Sequence, residues 1–291
     1  KSAKARSGVA LAIPLAANVG GIATPVGTPP NAIAIGALET HGINVSFAHW
    51  AMMAAPFAIV VLLASWLLLC ALFIPKGEVI NLEVEADWDM SGKARIFYAV
   101  AALTIILWMT EPLHGISSNT VGFIPVALLL SLRVMDGDDV KKLDWPVLWL
   151  VSGGIALGTG VGATGLDAWL VNSIGWESLG IMGAMLVLAL VGLGFANVMS
   201  HSAAANLLVP LAISLSSALP GSDTMLIAVV VAIACSLGMS LPISTPPNAI
   251  AYSTGMCSVK GMAILGVIVG VVSTLVLVLA MPPLWQMMGL V

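Results

Sequence analysis

Charge is what this sequence has least of. Only 8% of its 291 residues are Asp, Glu, Lys or Arg, whereas soluble domains carry about a quarter, so a water-facing surface cannot be built from them. Cysteine is scarce too: Cys70, Cys235 and Cys257 fall in apolar stretches without metal-ligand spacing, and they read as packing residues. A net charge of −4 with no basic cluster argues against nucleic acid as a partner. The long Leu, Val, Ile and Ala runs lack period-two alternation, which removes a β-barrel. No signal-peptide pattern is present; the opening KSAKARSGVALAIPL lacks an initiator Met and reads as the start of an internal piece of a longer chain.

What remains is 59% hydrophobic. A helix needs about 20 apolar residues to cross roughly 30 Å of hydrocarbon, and several runs are that long. The fold class expected is an all-α polytopic membrane protein. A broken apolar segment covers about 7–38, followed by spans at 48–74, 94–110, 120–133 and 146–163. A helical hairpin at 179–218 precedes a second broken segment at 225–257 and a last span at 261–286.

With residue 1 inside and the hairpin entering and leaving by one face, the loops at 75–93, 134–145 and 258–260 fall inside. The ten basic residues then lie on or beside inside segments: Lys1, Lys4, Arg6, Lys76, Lys93, Arg95, Arg133, Lys141, Lys142 and Lys260. Basic excess marks the cytoplasmic side, so residue 1 is expected in the cytoplasm and the C-terminus outside an inner (plasma) membrane.

Two copies of one motif interrupt this apolar chain. TPPNAIA occurs at Thr28–Ala34 and again at Thr245–Ala251, and the crossing count makes the segments antiparallel, the mark of an inverted-repeat transporter with a site near the midplane. Proline has no N–H and clashes with the preceding turn, so Pro29, Pro30, Pro246 and Pro247 break each segment into half-helices just before Asn31 and Asn248. Thr28 and Thr245 stand at the cap position, with proline first in the following helix. A half-helix N-terminus exposes N–H groups and about half a positive charge, which suits an anion, while carbonyls freed by the break suit a cation. Gly20, Gly21, Gly27, Gly238 and Ser244 leave room for close backbone approach.

The hairpin tip, Asn197-Val198-Met199-Ser200-His201-Ser202, is polar between apolar arms, and a polar cluster at membrane depth is a site hypothesis. An enzyme reading fails because Ser200 and His201 are adjacent and point about 100° apart on a helix. A channel reading wants a continuous polar path, which the inverted repeat does not favour.

The doubled TPPNAIA, the longer LPISTPPNAIA of the second copy and a polar hairpin tip some 45 residues before it resemble the divalent anion/sodium symporter family over essentially the whole chain. The resemblance implies an elevator-type inverted-repeat transporter, here N-terminally truncated to the C-terminal part of a dicarboxylate transporter, working as a homodimer in the lipid bilayer. It implies Na+-coupled symport of C4-dicarboxylates such as succinate or malate by alternating access, with Na+-independent or proton-coupled exchange, or sulfate transport, as alternatives. No cofactor beyond the coupling Na+ is implied.

By the same resemblance the substrate-binding residues are Thr28, Pro29, Ser200, His201, Ser202, Thr245 and Pro246. The Na+ ligands are Gly27, Ala196, Ser200, His201 and Ser244. His201 stands where the family has Asn, an exchange of a carbonyl acceptor for an imidazole that puts the second Na+ site in question. The first Ser-Asn-Thr hairpin of the family falls before residue 1. The literal Ser118-Asn119-Thr120 lies in a polar loop at the mouth of a span and is read as outside the site. Residues 1–47 and 179–257 are assigned to the transport domain, 48–178 to connecting and scaffold spans and 258–291 to a final span. The acidic run Glu78, Glu83, Glu85, Asp87 and Asp89 and the cluster Asp136, Asp138 and Asp139 read as solvated connections. Trp50, Trp145 and Trp149 are expected in interfacial belts.

Overall fold

Short hydroxyl and carboxylate side chains decide where the helices of this protein start. In the computed structural model, which describes residues 2–75, 88–166, 169, 173 and 176–291, Ser2 accepts from the Ala5 N–H at the head of α1 (Ala3–Ile22). Ser46 accepts from His49 N–H before α3 (Phe47–Phe73), and Ser91 from Ala94 before α4 (Gly92–Met109). Each satisfies one of the first-turn donors that a helix cannot pair internally. Between α1 and α3 lies α2 (Pro29–Thr40).

After α4 come a short α5 (Glu111–His114) and α6 (Ser118–Ser131), then α7 (Gly137–Lys141) and the glycine-rich α8 (Trp145–Thr164). Ser117 caps α6 through Thr120 N–H, so the helix begins at Ser118, two residues earlier than the sequence suggested. The hairpin arms are α9 (Gly180–Val198) and α10 (His201–Ala218), and α11 (Thr224–Ser236), α12 (Pro246–Ser253) and α13 (Val259–Met287) close the chain. The described residues form helices and turns without strands. Five helices, α1, α3, α4, α9 and α13, are long and apolar enough to cross a membrane. The acidic run at 78–87 lies outside the described residues; Asp89 is described and accepts from the Ser91 N–H.

Helix α11 is apolar all round, and Leu226 through Ser236 are all buried, as befits the centre of a bundle. It packs against α2, both hairpin arms and α13, while α1 packs on α3 and α12. Helix α8 lies on α10 and α2, and α4 pairs with α6. Trp50 is a correction to the belt expectation: it is fully buried, its indole N–H donating to the Ile22 carbonyl at the end of α1. Trp285 is buried likewise on the Met53 carbonyl, while Trp145 and Trp149 are exposed as expected.

Contacts sort the chain ends into two groups. His49 Nε2 lies 2.8 Å from the Leu290 carbonyl, and Asn119 Nδ2 donates to the Glu39 carboxylate at 3.2–3.3 Å; these place 39–49, 119 and the C-terminal residues together. Phe73 instead packs on Gly8 and Gly261.

Candidate functional site: two proline turns and a hairpin tip

Each broken segment is opened by the same device. The chain leaves the helix at 23–28 in the first copy and 237–245 in the second, and Pro29-Pro30 or Pro246-Pro247 then occupy the first two positions of α2 or α12. Carbonyls freed by the break need donors at membrane depth, and the motif asparagine supplies them. Asn31 Nδ2 reaches the carbonyls of Gly21 (3.1 Å), Ile22 (3.3 Å) and Thr24 (2.8 Å). Asn248 Nδ2 reaches those of Met239 (2.9 Å) and Leu241 (3.0 Å), and the Ser244 hydroxyl at 3.2 Å. In both copies the acceptors nine and seven residues back are held, so the N in TPPN is the staple of the turn. Sequence reasoning named Asn31 and Asn248 as markers of the break; this role was missed.

The close approaches expected of the glycines are partly there. A Cβ on Gly27 would run into the Gly21 carbonyl oxygen, and one on Gly238 would fall 2.5 Å from Ala196 Cβ. Gly20 has nothing within 4 Å. Both threonines adopt the extended cap conformation, but only Thr245 uses its hydroxyl, accepting from Asn248 N–H at 3.3 Å.

One expectation needs correcting. The proline pair removes the first two N–H donors of α2 and α12, and the third is already engaged, by the Thr28 carbonyl in one copy and the Thr245 hydroxyl in the other. The half-helices therefore offer their field but few amides. Open donors are found at the hairpin tip, where Ser200 caps α10 through Ala203 N–H and the N–H groups of His201 and Ser202 have no acceptor among the described residues.

That tip is fastened to the second break. The Asn197 side-chain oxygen Oδ1 accepts from Ser240 N–H at 2.7 Å, Ala196 is buried against Gly238, and His201 Nε2 lies 2.8 Å from the Gly238 carbonyl. A carbonyl only accepts, so Nε2 carries the proton and Nδ1 is the single acceptor His201 retains when neutral. His201 and Ser202 are buried and Ser200 half-buried. Ser240, not foreseen as a site residue, has a buried hydroxyl without a partner beside this junction. No hydrogen bond joins Thr28 or Pro29 to Ser200–Ser202. The turns are not sealed in packing: Val26 and Ile243 are 64% and 66% exposed.

Ser118 and Asn119 stand at the head of α6, on one cavity with Pro25 and Val26 of the first turn. This cavity of about 610 Å³ lies between α2, the start of α3 and α6, where the Ser118 hydroxyl donates to Glu111 and accepts from Phe47 N–H. Phe47 stacks on Trp108 with ring centroids 4.7 Å apart. The three cysteines are free, Cys235 and Cys257 buried and Cys70 partly so. Among the described residues no group of three or more His, Cys, Asp or Glu could hold a metal.

Known proteins are similar to this sequence. The sodium-dependent dicarboxylate transporter SdcS of Staphylococcus aureus strain USA300 is 29% identical over 305 residues, covering 95% of this chain, and the protein of the same name in strain NCTC 8325 matches equally. The chain spans 58% of the length of these relatives. The model of the sodium:sulfate symporter transmembrane region matches residues 5–291. With both proline turns and the hairpin inside that match, the chain belongs to the sodium:sulfate symporter family.

Proposed function

We propose that this chain is part of a secondary active transporter for small dianions, C4-dicarboxylates foremost, driven by Na+ through alternating access. The observation that carries it is the pair of stapled breaks, α1–α2 and α11–α12. Each packs across the other, α1 on α12 and α2 on α11, as inverted repeats would, and transporter sites of that kind lie at the meeting of half-helices. The relatives' names point to dicarboxylate and Na+.

The anion is held by the positive ends of α2, α10 and α12 and by the open amides of His201 and Ser202, with Thr28, Pro29, Ser200, Thr245 and Pro246 shaping the wall. Backbone dipoles in a low-dielectric site are strong enough to bind without a charged side chain. Na+ then offsets the charge of the dianion. Asn31, Asn248 and His201 occupy carbonyls at the breaks, so the oxygens for Na+ are the remaining carbonyls of Gly27 and Ala196 and the hydroxyls of Ser200 and Ser244, joined by the unpartnered Ser240 Oγ. One net positive charge entering per cycle gains about 2.3 kcal/mol per 100 mV.

The packing suggests a moving body of α1–α3 and α9–α13, since α3 rests on α1 and α13, with α4, α6 and α8 as the scaffold. That shifts α3 and the last helix into the transport domain relative to the sequence-based division. Residue 1 faces the cytoplasm in this scheme, and two copies form the working unit. The test is radiolabelled succinate uptake into proteoliposomes holding the full-length protein. An inward Na+ gradient should drive accumulation above the external concentration, and uptake that merely equilibrates, with or without Na+, would overturn symport.

A further inference from the structure

We propose that Asn18 is a positioning residue that braces the second proline turn, and that the first turn lacks the equivalent brace and is the adaptable half of the site. The proposal rests on the reading that the turns form the anion site. The three acceptors around Asn248 Nδ2 more than use its two hydrogens, which fixes the amide with Oδ1 facing away from the break. A group facing that oxygen must donate. Asn18 Nδ2 does so at 2.9 Å, across 230 residues of sequence, from the neighbouring helix α1. Both side chains are buried, 7% and 1% exposed. The void beside them is about 10 Å³, room for roughly one water, so the pair is a brace and not a ligand subsite.

The first turn shows what happens without it. Asn31 is fully buried and staples its own break, yet its Oδ1 has no partner among the described residues. Counting forward from Asn18 by the offset between Thr28 and Thr245 leads to Cys235 on α11, the helix that packs on α2. A thiol is a weak donor, and this one lies against Gly192. Thr28 also makes no cap bond, whereas Thr245 does. Two independent differences thus point the same way. The turn at 237–245 is fixed from both ends of its asparagine, and the turn at 23–28 from one.

Hydrogen-exchange mass spectrometry on the full-length transporter, with transport kinetics in proteoliposomes, tests this. In the unaltered protein, amides of 238–245 should exchange about ten-fold more slowly than those of 23–28, as a smaller local opening population dictates. Asn18→Leu keeps the side-chain volume and removes the donor. It should erase that gap and raise KM for the dicarboxylate about five-fold while the maximal rate stays within about two-fold, the pattern of lost binding geometry. Equal exchange of the two turns in the unaltered protein overturns the proposal, as does a Leu variant with unchanged exchange and KM. If the variant fails to assemble, the comparison in the unaltered protein still decides. Absence of Na+-driven uptake by the unaltered protein would defeat the transport reading and leave the exchange result standing by itself.

Discussion

The two proline turns share seven residues, TPPNAIA, and their asparagines perform the same task on carbonyls nine and seven residues back. Around that shared staple they differ. The second turn has a threonine cap, a partner for the asparagine oxygen and a hairpin tip hydrogen-bonded to its unwound strand; the first has neither cap nor oxygen partner. Identical short motifs thus specify the break and its staple, while neighbours far away in sequence set how firmly each turn is held. If the turns form two halves of one site, as proposed, that inequality gives the halves different stiffness.

The largest effect should come from removing a staple. Asn248→Ala leaves the Met239 carbonyl and the Asn18 amide without partners, while the Leu241 carbonyl keeps Ser244, and each buried group so stranded costs about 1–3 kcal/mol. Asn31→Ala strands the Gly21 carbonyl, since Ile22 keeps Trp50 and Thr24 keeps the Gly27 N–H, and it strands no side-chain partner, so it should cost less. Thermal unfolding in detergent would show the order, and equal losses would break the comparison.

Next are the glycines. Gly27→Ala drives a methyl onto the Gly21 carbonyl oxygen and Gly238→Ala onto Ala196 of the hairpin. Overpacking of this kind costs about 1–3 kcal/mol. Both should impair uptake, with Gly238→Ala also loosening the hairpin; proteolysis or exchange at 196–202 would register it. Thr245→Ala removes a cap bond worth about 1 kcal/mol, while Thr28→Ala removes none, so only the former should lower the unfolding temperature.

The smallest effect is remote from the site. Asp139 reaches back to the Asp136 N–H in the cap of α7 and pairs with Lys142, and these, the backbone bond first, hold its carboxyl below the usual range. A lowered carboxylate favours the folded helix at neutral pH, and that contribution fades as pH falls through its lowered value. Acid should therefore fray 137–141 without altering dianion binding at the turns, which exchange at those amides would show.

Much of this was legible in the sequence because hydrophobic runs and proline pairs are local signals. The spans, both breaks and the hairpin follow from segments read on their own, whereas the cavity that joins Ser118 and Asn119 to Pro25 and Val26 of the first turn does not. Asn18 was invisible for the opposite reason: a single amide in an apolar run gains meaning only from Asn248, 230 residues on. Trp50 looked like a belt residue because amphipathic rings favour interfaces, yet the carbonyl of Ile22 left free at a helix end drew its N–H inside. The supply of free amides was overstated because proline at a helix start brings no N–H, and the tip at His201–Ser202 turned out to hold the open donors.

The claim that the two turns and the tip enclose the anion is tested most directly at Thr245. In a full-length protein cleared of its native cysteines, Thr245→Cys should react with a small thiol reagent, and succinate with Na+ should slow that reaction by about ten-fold, as expected for a wall residue covered at saturating ligand. A labelling rate indifferent to succinate, in protein that still transports it, would contradict the account.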